Sequence, residues 1–159
     1  RNWIEKTAVT IKSMLPSIPI VVGGVHAILY PEDVIKIKSV DYVCNSEGEI
    51  ALLNLIKFIE NDERDGRFLK GIWLRDKKGD VIQNETGDIS NDISQYIENR
   101  KIYYRRYPLM EKDATKFFIG SRGCPYKCSY CFNKQMREIF KGRGQPIRFK
   151  KPERFIEEI

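Results

Sequence analysis

Three of the four cysteines in this chain fall within eight residues, at Cys124, Cys128 and Cys131. Three residues separate the first pair and two separate the second. The neighbouring glycine and proline let the backbone turn, so all three thiols can face inward on one loop. Thiolates are the ligands of iron–sulfur clusters, and a four-iron cluster held by three cysteines keeps one iron open to an exogenous ligand. The cysteine loop, residues 124–131, therefore favours a catalytic cluster over one that only stores electrons.

Three other uses of these thiols remain as alternatives. A structural zinc site normally has four ligands, and the other soft donors, Cys44 and His26, lie far upstream. A disulfide framework is typical of small secreted chains, and idle thiols need no partner at all. The spacing favours the cluster over each of them.

The loop resembles the hallmark of the radical S-adenosylmethionine (SAM) superfamily, in which an aromatic residue precedes the third cysteine. Here that residue is Tyr130. The resemblance implies that the three loop cysteines bind a 4Fe-4S cluster whose open iron chelates SAM. It further implies reductive cleavage of SAM to a 5'-deoxyadenosyl radical, with Tyr130 near the adenine. Arg122 and Lys127 flank the loop, and we expect their charge to favour the thiolate form of the cysteines.

Length and composition limit the setting of this site. The chain has 159 residues, enough for one ordinary domain or parts of two, and its 42% hydrophobic and 31% charged residues are typical of a soluble globular protein. Its sequence has no apolar run of about 20 residues that would cross a bilayer and no signal-peptide pattern. Reduced thiols and an oxygen-sensitive cluster predict a cytoplasmic protein without a membrane partner. The start at Arg1 and a last helix pattern that runs to the end predict a fragment, inactive by itself.

The formal charge of +6 raises the question of a nucleic-acid partner. Basic residues are densest at residues 100–107 and 141–151, and tyrosines interleave the first run. Such tyrosines can stack on bases. A solvated connector is the more common structure for such a segment, so nucleic acid is not the partner that we expect.

The first part of the chain alternates helix and strand patterns. Apolar spacing predicts a helix over residues 3–15, and a short apolar run predicts a buried strand over residues 18–22. Pro31 is placed to begin a helix, and a second strand follows at residues 41–44. This alternation predicts the later part of a doubly wound, Rossmann-like α/β sheet.

A further helix is predicted after the second strand. Ser46 and Glu49 have the spacing of a capping box, in which each side chain bonds the backbone of the other. The apolar residues that we expect on the buried face of this helix are Leu52, Leu53, Ile56 and Ile59.

Gly23 and Gly24 end the first strand, where open α/β sheets bind ligands. A glycine pair alone is a weak signal, because many strands end in such turns. The run Val-Val-Gly-Gly-Val-His-Ala at residues 21–27, with Asp-Tyr-Val at 41–43 and Ser-Glu-Gly-Glu at 46–49, resembles the second half of the cobalamin-binding domain that precedes many radical SAM barrels. The resemblance implies that Gly23 and Gly24 leave room for the nucleotide tail of cobalamin.

Two other features of that domain would precede Arg1: an Asp-x-His-x-x-Gly loop and a Ser-x-Leu turn. Cobalamin binding is therefore inferred from half a domain, and some members with this arrangement have lost the cofactor. His26 follows the glycines, where the family does not take its axial ligand, so we expect a role at a helix entry or pocket wall. Cys44 is predicted to be a core residue of its strand.

The second part of the chain contains the cysteine loop. A hairpin is predicted between residues 71–75 and 81–83, as an edge extension of the first domain. A linker is predicted over residues 85–115, and a strand at 116–119 delivers the loop at its carboxyl end, as in barrels of alternating strand and helix. Pro152 begins a last helix. The domains expected are thus a partial Rossmann-like domain (1–84), a linker (85–115) and the start of a partial TIM barrel (116–159).

The sequence therefore predicts a cobalamin-binding-type radical SAM enzyme, with methyl transfer as its leading reaction and hence a transferase. Its partners would be SAM, cobalamin and an electron donor such as flavodoxin or ferredoxin. One alternative is a radical SAM enzyme with a vestigial cobalamin domain that forms rings or inserts sulfur. Another is a metal-stabilised nucleic-acid-binding module.

Overall fold

A computed structural model of the chain describes residues 2–63, 65–76 and 78–159. In these residues the strands form one four-stranded and one two-stranded sheet. The strands are β1 (Val21–Val22), β2 (Tyr42–Cys44), β3 (Ile72–Arg75), β4 (Val81–Ile82), β5 (Ser121–Arg122) and β6 (Arg148–Phe149). The helices are α1 (Asn2–Met14), α2 (Val25–Leu29), α3 (Pro31–Ile35), α4 (Gly48–Glu60), α5 (Arg100–Arg106), α6 (Pro108–Lys112), α7 (Asn133–Ile139) and α8 (Pro152–Ile156).

The four-stranded sheet has the order β1-β2-β3-β4. β1 and β2 are parallel, and the crossover that parallel neighbours require is made by α2 and α3. β3 and β4 are antiparallel and add to the sheet through an antiparallel β2–β3 pair. The predicted hairpin and its place at the edge are confirmed, although Lys77 of its turn lies outside the described residues.

The prolines predict helix starts well in this chain. α3 begins at Pro31 and α8 begins at Pro152, as expected for a residue with a fixed φ and no backbone donor. α1 agrees with the predicted first helix to within a residue at each end. These elements confirm the mixed α/β class, whereas the Rossmann-like and barrel assignments stay predictions.

The predicted capping box of α4 is wrong. The N-cap of this helix is Glu47, which makes no side-chain capping bond. Ser46 instead donates its hydroxyl to the carbonyl of Gly87 at 3.3 Å, and Glu49 accepts a hydrogen bond from Arg122. Both side chains are thus engaged by distant parts of the chain, and these contacts compete with the local capping pattern.

The predicted buried face of α4 is also wrong. Ala51, Leu55 and Phe58 are the buried residues of this helix. The expected residues, Leu52, Leu53, Ile56 and Ile59, are between 36% and 51% exposed. α4 is apolar around most of its circumference, so periodicity alone offered two possible faces, and the sheet packs on the other one.

A small apolar cluster lies between the two sheets. It consists of Ile28 from α2, Ile89 from the segment after the hairpin, and Phe140 at the end of α7. The backbone of Ile89 also donates to the carbonyl of Arg143 at 2.9 Å. The segment around residues 89–94 therefore runs along the part of the chain that carries β6.

The strand expected at residues 116–119 is shifted in the structure. β5 covers Ser121–Arg122 and pairs antiparallel with β6, with Arg122 opposite Arg148. Phe117 and Ile119 are 82% and 69% exposed. Strand pairing requires a neighbouring backbone, and among the described residues β6 supplies one only to Ser121 and Arg122. The cysteine loop nevertheless follows the strand directly, as expected.

Candidate functional site

The cysteine loop leaves β5 through a backbone conformation that favours glycine. Gly123 has a φ of 85°, and a Cβ at this position would collide with the carbonyl oxygen of Pro146. Close approach of the two backbones and a left-handed φ both exclude larger residues here. Gly123 therefore fixes the direction in which Cys124 leaves the sheet.

The three loop cysteines are free thiols, with Cys128 exposed and Cys124 and Cys131 partly exposed. The backbone N–H of Cys131 donates to the carbonyl of Cys128 at 3.2 Å, which closes a turn between them. Asn133 donates its side-chain amide to the Sγ of Cys131 at 3.4 Å. An amide donor of this kind stabilises negative charge on a sulfur atom.

In the described part of the chain, no three His, Cys, Asp or Glu side chains surround a position for one metal ion. An iron–sulfur cluster does not require the three thiolates to surround one point, because each thiolate binds a different iron atom. The donor set of three soft, accessible thiols on a single loop fits such a cluster.

Arg137 holds the loop from α7. Its guanidinium donates to the carbonyls of Pro125 at 3.2 Å and Tyr126 at 2.9 Å, both between the first two cysteines. Carbonyls that point at a guanidinium are fixed in direction, so α7 restrains the loop. The sequence carries no local pattern from which this contact was predicted.

Arg122 and Arg148 form ion pairs with two carboxylates at the start of α4, those of Glu47 and Glu49. Arg148 donates two hydrogen bonds to Glu47, one of them at 2.8 Å, and one to the carbonyl of Ser90 at 2.9 Å. Arg122 donates to Glu47 at 3.2 Å and to Glu49. Sequence reasoning missed this ion-pair cluster, because its partners lie between 73 and 101 residues apart.

The ion-pair cluster gives Arg122 bonding partners other than the loop thiols that it was predicted to influence. Its hydrogen bond with Glu49 outweighs the effect of burial and raises the pKa of the guanidinium. Burial acts to raise the pKa of Glu49, but the Arg122 hydrogen bond and neighbouring charges leave it below its usual value. The charge of Arg122 is thus balanced by the carboxylates of Glu47 and Glu49. Lys127, the other expected flank, is exposed.

Two cavities lie between the cysteine loop and the helices that pack beside the four-stranded sheet. The first, of about 450 Å³, is lined by Val25, Glu47, Arg122 and Cys124, among others. The second, of about 670 Å³, lies between the end of α2 and the other side of the loop. Tyr130 lines this second cavity and is 91% exposed. An aromatic ring with so much free surface can stack on a planar ligand.

The glycine pair lies at the end of β1. Gly24 has a φ of 87° with open space around a Cβ position, and it precedes α2, whose first residue lines the smaller cavity with Cys124. Gly23 instead lines an apolar groove of about 250 Å³ against α1. The structure thus brings the start of α2 to the cysteine loop, while Gly23 faces elsewhere.

His26 and Cys44 have the surroundings expected of them. His26 lies in the first turn of α2, exposed, with its ring 5.7 Å from that of Tyr30. Cys44 is 3% exposed within the core of the four-stranded sheet, and its thiol donates to the carbonyl of Ser46 at 3.4 Å. Burial raises the pKa of the Cys44 thiol.

The chain is similar in sequence to anaerobic magnesium-protoporphyrin IX monomethyl ester cyclases. It is 27% identical to that of Rubrivivax gelatinosus over 134 residues, which cover 80% of this chain and 24% of the relative. It is 26% identical to that of Synechocystis over 151 residues, covering 94% of this chain and 28% of the relative. No family model matches the chain.

Solved structures share its fold. The structure of TsrM from Kitasatospora setae, a radical SAM methyltransferase with tryptophan and a SAM analogue bound, superposes with a TM-score of 0.65 at 16% identity, covering 97% of this chain and 29% of that one. The structure of OxsB, a cobalamin-dependent SAM radical enzyme with aqua-cobalamin and SAM bound, superposes with a TM-score of 0.61 at 23% identity. This match covers 87% of this chain and 18% of that one. The chain is thus similar in sequence to these cyclases and similar in fold to TsrM and OxsB.

The chain spans about a quarter of the length of the curated relatives that it matches. The likeness in fold to TsrM extends over both the four-stranded sheet and the cysteine loop, since the superposition covers 97% of this chain. Among the described helices, none has the length and apolar character needed to cross a membrane.

Proposed function

We propose that this chain carries the cluster-binding loop of a radical SAM enzyme, with Cys124, Cys128 and Cys131 as the ligands of a 4Fe-4S cluster. The observation that carries the proposal is three accessible thiols on one loop. Cys44, the remaining cysteine, is buried in a different core. Three ligands leave one iron available for the amino and carboxylate groups of SAM.

When bound, the cluster supplies the electron that cleaves SAM to a 5'-deoxyadenosyl radical. The residues of the chain hold the loop for this chemistry. Arg137 restrains the backbone between the first two cysteines, and Asn133 donates to the sulfur of Cys131. Tyr130 is proposed to stack on the adenine, which its exposed ring and the adjoining cavity support.

Cobalamin is proposed to bind at the carboxyl end of the four-stranded sheet, with Gly23 and Gly24 beside its nucleotide tail. Support comes from the open space around Gly24 and from the cavity that Val25 shares with Cys124. A methyl carrier at this end of the sheet would lie on the same side as the cluster. Methyl transfer is the reaction that this arrangement favours.

A second candidate is ring formation without cobalamin. The relatives found by sequence are cyclases at 26–27% identity, higher than the identity to the TsrM and OxsB structures. In this case the four-stranded sheet would be a scaffold. Binding of hydroxocobalamin to the full-length protein, followed by its visible spectrum, separates the two candidates.

An external reductant completes the proposal. A flavodoxin or ferredoxin would supply the electron, and a cytoplasmic location would fit such a donor. The 159-residue chain alone is proposed to be inactive, because Phe117 before β5 and Phe149 on β6 remain 82% and 71% exposed, an apolar surface that a complete enzyme would cover.

Cysteine-to-alanine variants of the full-length protein test the cluster. After anaerobic reconstitution with iron and sulfide, we expect Cys124→Ala, Cys128→Ala and Cys131→Ala each to lose the broad absorption near 400 nm and most of the bound iron. Cys44→Ala is the matched control and should keep both. Equal loss in the control, or full iron content in a loop variant, would reject the ligand assignment.

A further inference from the structure

Two arginines lie side by side on the two-stranded sheet. Arg122 of β5 and Arg148 of β6 are directly opposite each other in the antiparallel ladder. Like charges in this position repel each other. Glu47 offsets the repulsion, because it accepts hydrogen bonds from both guanidinium groups.

The pairs are well shielded from solvent. The Arg148 side chain is 4% exposed and that of Glu47 is 18% exposed. Arg122 and Glu49 form the outer part of the ion-pair cluster, and their side chains are 35% and 27% exposed. A guanidinium bound by both oxygens of one carboxylate has a defined orientation, since the two parallel bonds fix both planes.

Through these bonds, Glu47 links the end of the four-stranded sheet to the strand that precedes the cysteine loop. Glu47 lies three residues after Cys44 of β2, at the end of the four-stranded sheet, and Arg122 lies two residues before Cys124. The β6 side is also joined to residues 89–94 by the apolar cluster of Ile28, Ile89 and Phe140 and by backbone hydrogen bonds such as that from Ile89 to Arg143, whereas the hydrogen bonds of the Arg122 side chain on β5 go to Glu47 and Glu49. Apolar packing is non-directional, whereas the ion pairs hold the strand that leads into the loop in one orientation.

We propose that Glu47 is a positioning residue that holds the cysteine loop in a fixed place relative to the carboxyl end of the four-stranded sheet. This inference rests on the proposed function, because it makes Glu47 responsible for the spacing between the cluster and cobalamin. Glu47 also lines the smaller cavity with Cys124, but both of its carboxylate oxygens accept hydrogen bonds from Arg122 and Arg148, and it acts through these two residues. Its loss should loosen the relation between the two sites while each site keeps its own ligands.

The first measurement needs no cofactor. We expect Glu47→Gln in the full-length apo protein to raise hydrogen exchange of the amides at residues 119–124 and 148–151 about tenfold. Lys151→Gln is the matched control. Lys151 also joins its segment to the chain before α5, through Asp92 at 3.6 Å, but both side chains are more than half exposed. The control should exchange as the wild type does.

The second measurement uses both cofactors. In protein loaded with hydroxocobalamin and a reconstituted cluster, then reduced, pulsed electron paramagnetic resonance reports the distribution of distances between the cobalt and the cluster. We expect Glu47→Gln to broaden this distribution, while its iron content, cobalamin content and abortive cleavage of SAM stay within about twofold of wild type. A residue that merely stabilised the fold would lower the cofactor contents as well.

The two measurements separate the two proposals. Wild-type protein that binds no cluster would overturn the proposed function, and the exchange data would still report on the link between the sheets. Normal loading with unchanged exchange and an unchanged distance distribution in Glu47→Gln would overturn the positioning role. If Glu47→Gln does not fold, Arg122→Gln tests the part of the role that acts through β5: Arg122 is partly exposed, and its removal leaves the Glu47–Arg148 pair in place, so exchange at residues 119–124 alone should rise.

Discussion

The cysteines of this chain occupy two contrasting regions. Cys44 is buried on a central strand of the four-stranded sheet, among Ala51, Leu55 and Leu74. The three loop cysteines lie at the end of a two-residue strand, on a loop whose Tyr130 is almost fully exposed. The same side chain is thus a small core residue in one region and an accessible nucleophile or ligand in the other.

The two regions are also organised by different forces. The four-stranded sheet has two apolar clusters of its own, one on each side. Phe149 of the two-stranded sheet is exposed, as are Phe117 and Ile119 in the segment before β5. Hydrogen bonds and ion pairs join this sheet to other segments. We expect changes in the first region to lower global stability, and changes in the second to affect the loop most directly.

Gly123 offers the largest test of the second region. Replacement by alanine forces a side chain into a left-handed backbone, at about 1–3 kcal/mol, and into the backbone of Pro146, at about 1–3 kcal/mol more. We expect Gly123→Ala to lose most of its cluster after reconstitution and to unfold at lower urea concentration. Iron content and urea unfolding measure the two effects.

Gly142 is the matched control for that variant. It also has a positive φ, of 77°, but open space surrounds its Cβ position. Gly142→Ala should therefore show the backbone strain alone, with normal iron content. Equal effects at the two glycines would show that the contact with Pro146 does not position the loop.

Leu55 provides the corresponding test of the first region. It lies on the buried face of α4 and is 2% exposed, so Leu55→Ala should lower the free energy of unfolding by about 2–5 kcal/mol. Leu53→Ala, on the face that periodicity favoured, should change it by less than about 0.5 kcal/mol, because Leu53 is 51% exposed. Urea unfolding of both variants decides which face of α4 meets the sheet, and a reversed order would restore the face expected from the sequence.

Alkylation of the apo protein compares the two kinds of cysteine directly. Cys44 has a pKa raised by burial and little access to reagents, whereas Cys128 is exposed. Iodoacetamide at neutral pH should modify the loop cysteines about 100-fold faster than Cys44, which reacts only after local opening. Mass spectrometry of timed samples gives the rates. Modification of all four at one rate would mean that the four-stranded sheet does not protect Cys44.

Local chemistry made parts of this structure predictable. Pro31 and Pro152 each begin a helix because a fixed φ suits that position, and the hairpin was marked by a turn between two apolar runs. The cysteine loop was identified by spacing alone. Such features depend on a few neighbouring residues and need no knowledge of the rest of the fold.

The errors arose where distant residues compete with local patterns. Ser46 and Glu49 have the spacing of a capping box, yet Gly87 and Arg122 bind them. Arg122 was considered only for its charge beside the thiols, and its ion pairs with Glu47 and Glu49 were not predicted. Contacts across 41 and 73 residues cannot be read from spacing, so the ion-pair cluster beside the loop emerged only from the structure.

The smallest expected effect is the pH dependence of stability that Glu49 contributes, and it tests the contact between the two regions most specifically. Burial acts to raise its pKa, but the hydrogen bond from Arg122 and the charges of Arg122 and Arg148 leave the pKa below the ordinary value of 4.5. A carboxylate with a lowered folded-state pKa stabilises the fold fully above the unfolded pKa and loses that contribution as the pH falls through the folded pKa. In the apo protein, Glu49→Gln should therefore be less stable than wild type at pH 7, by no more than about 1 kcal/mol, because this outer pair is partly exposed to solvent.

This difference should shrink as the pH falls below about 4.5, since the wild-type side chain then also becomes neutral. Urea unfolding of both proteins between pH 7 and pH 3 measures it. Glu47 and Cys44 lie nearby, but they are present in both proteins, so the difference isolates the charge of Glu49. A gap that stays constant down to pH 3 would mean that the variant acts through packing and that the Arg122–Glu49 pair contributes nothing to joining the two regions.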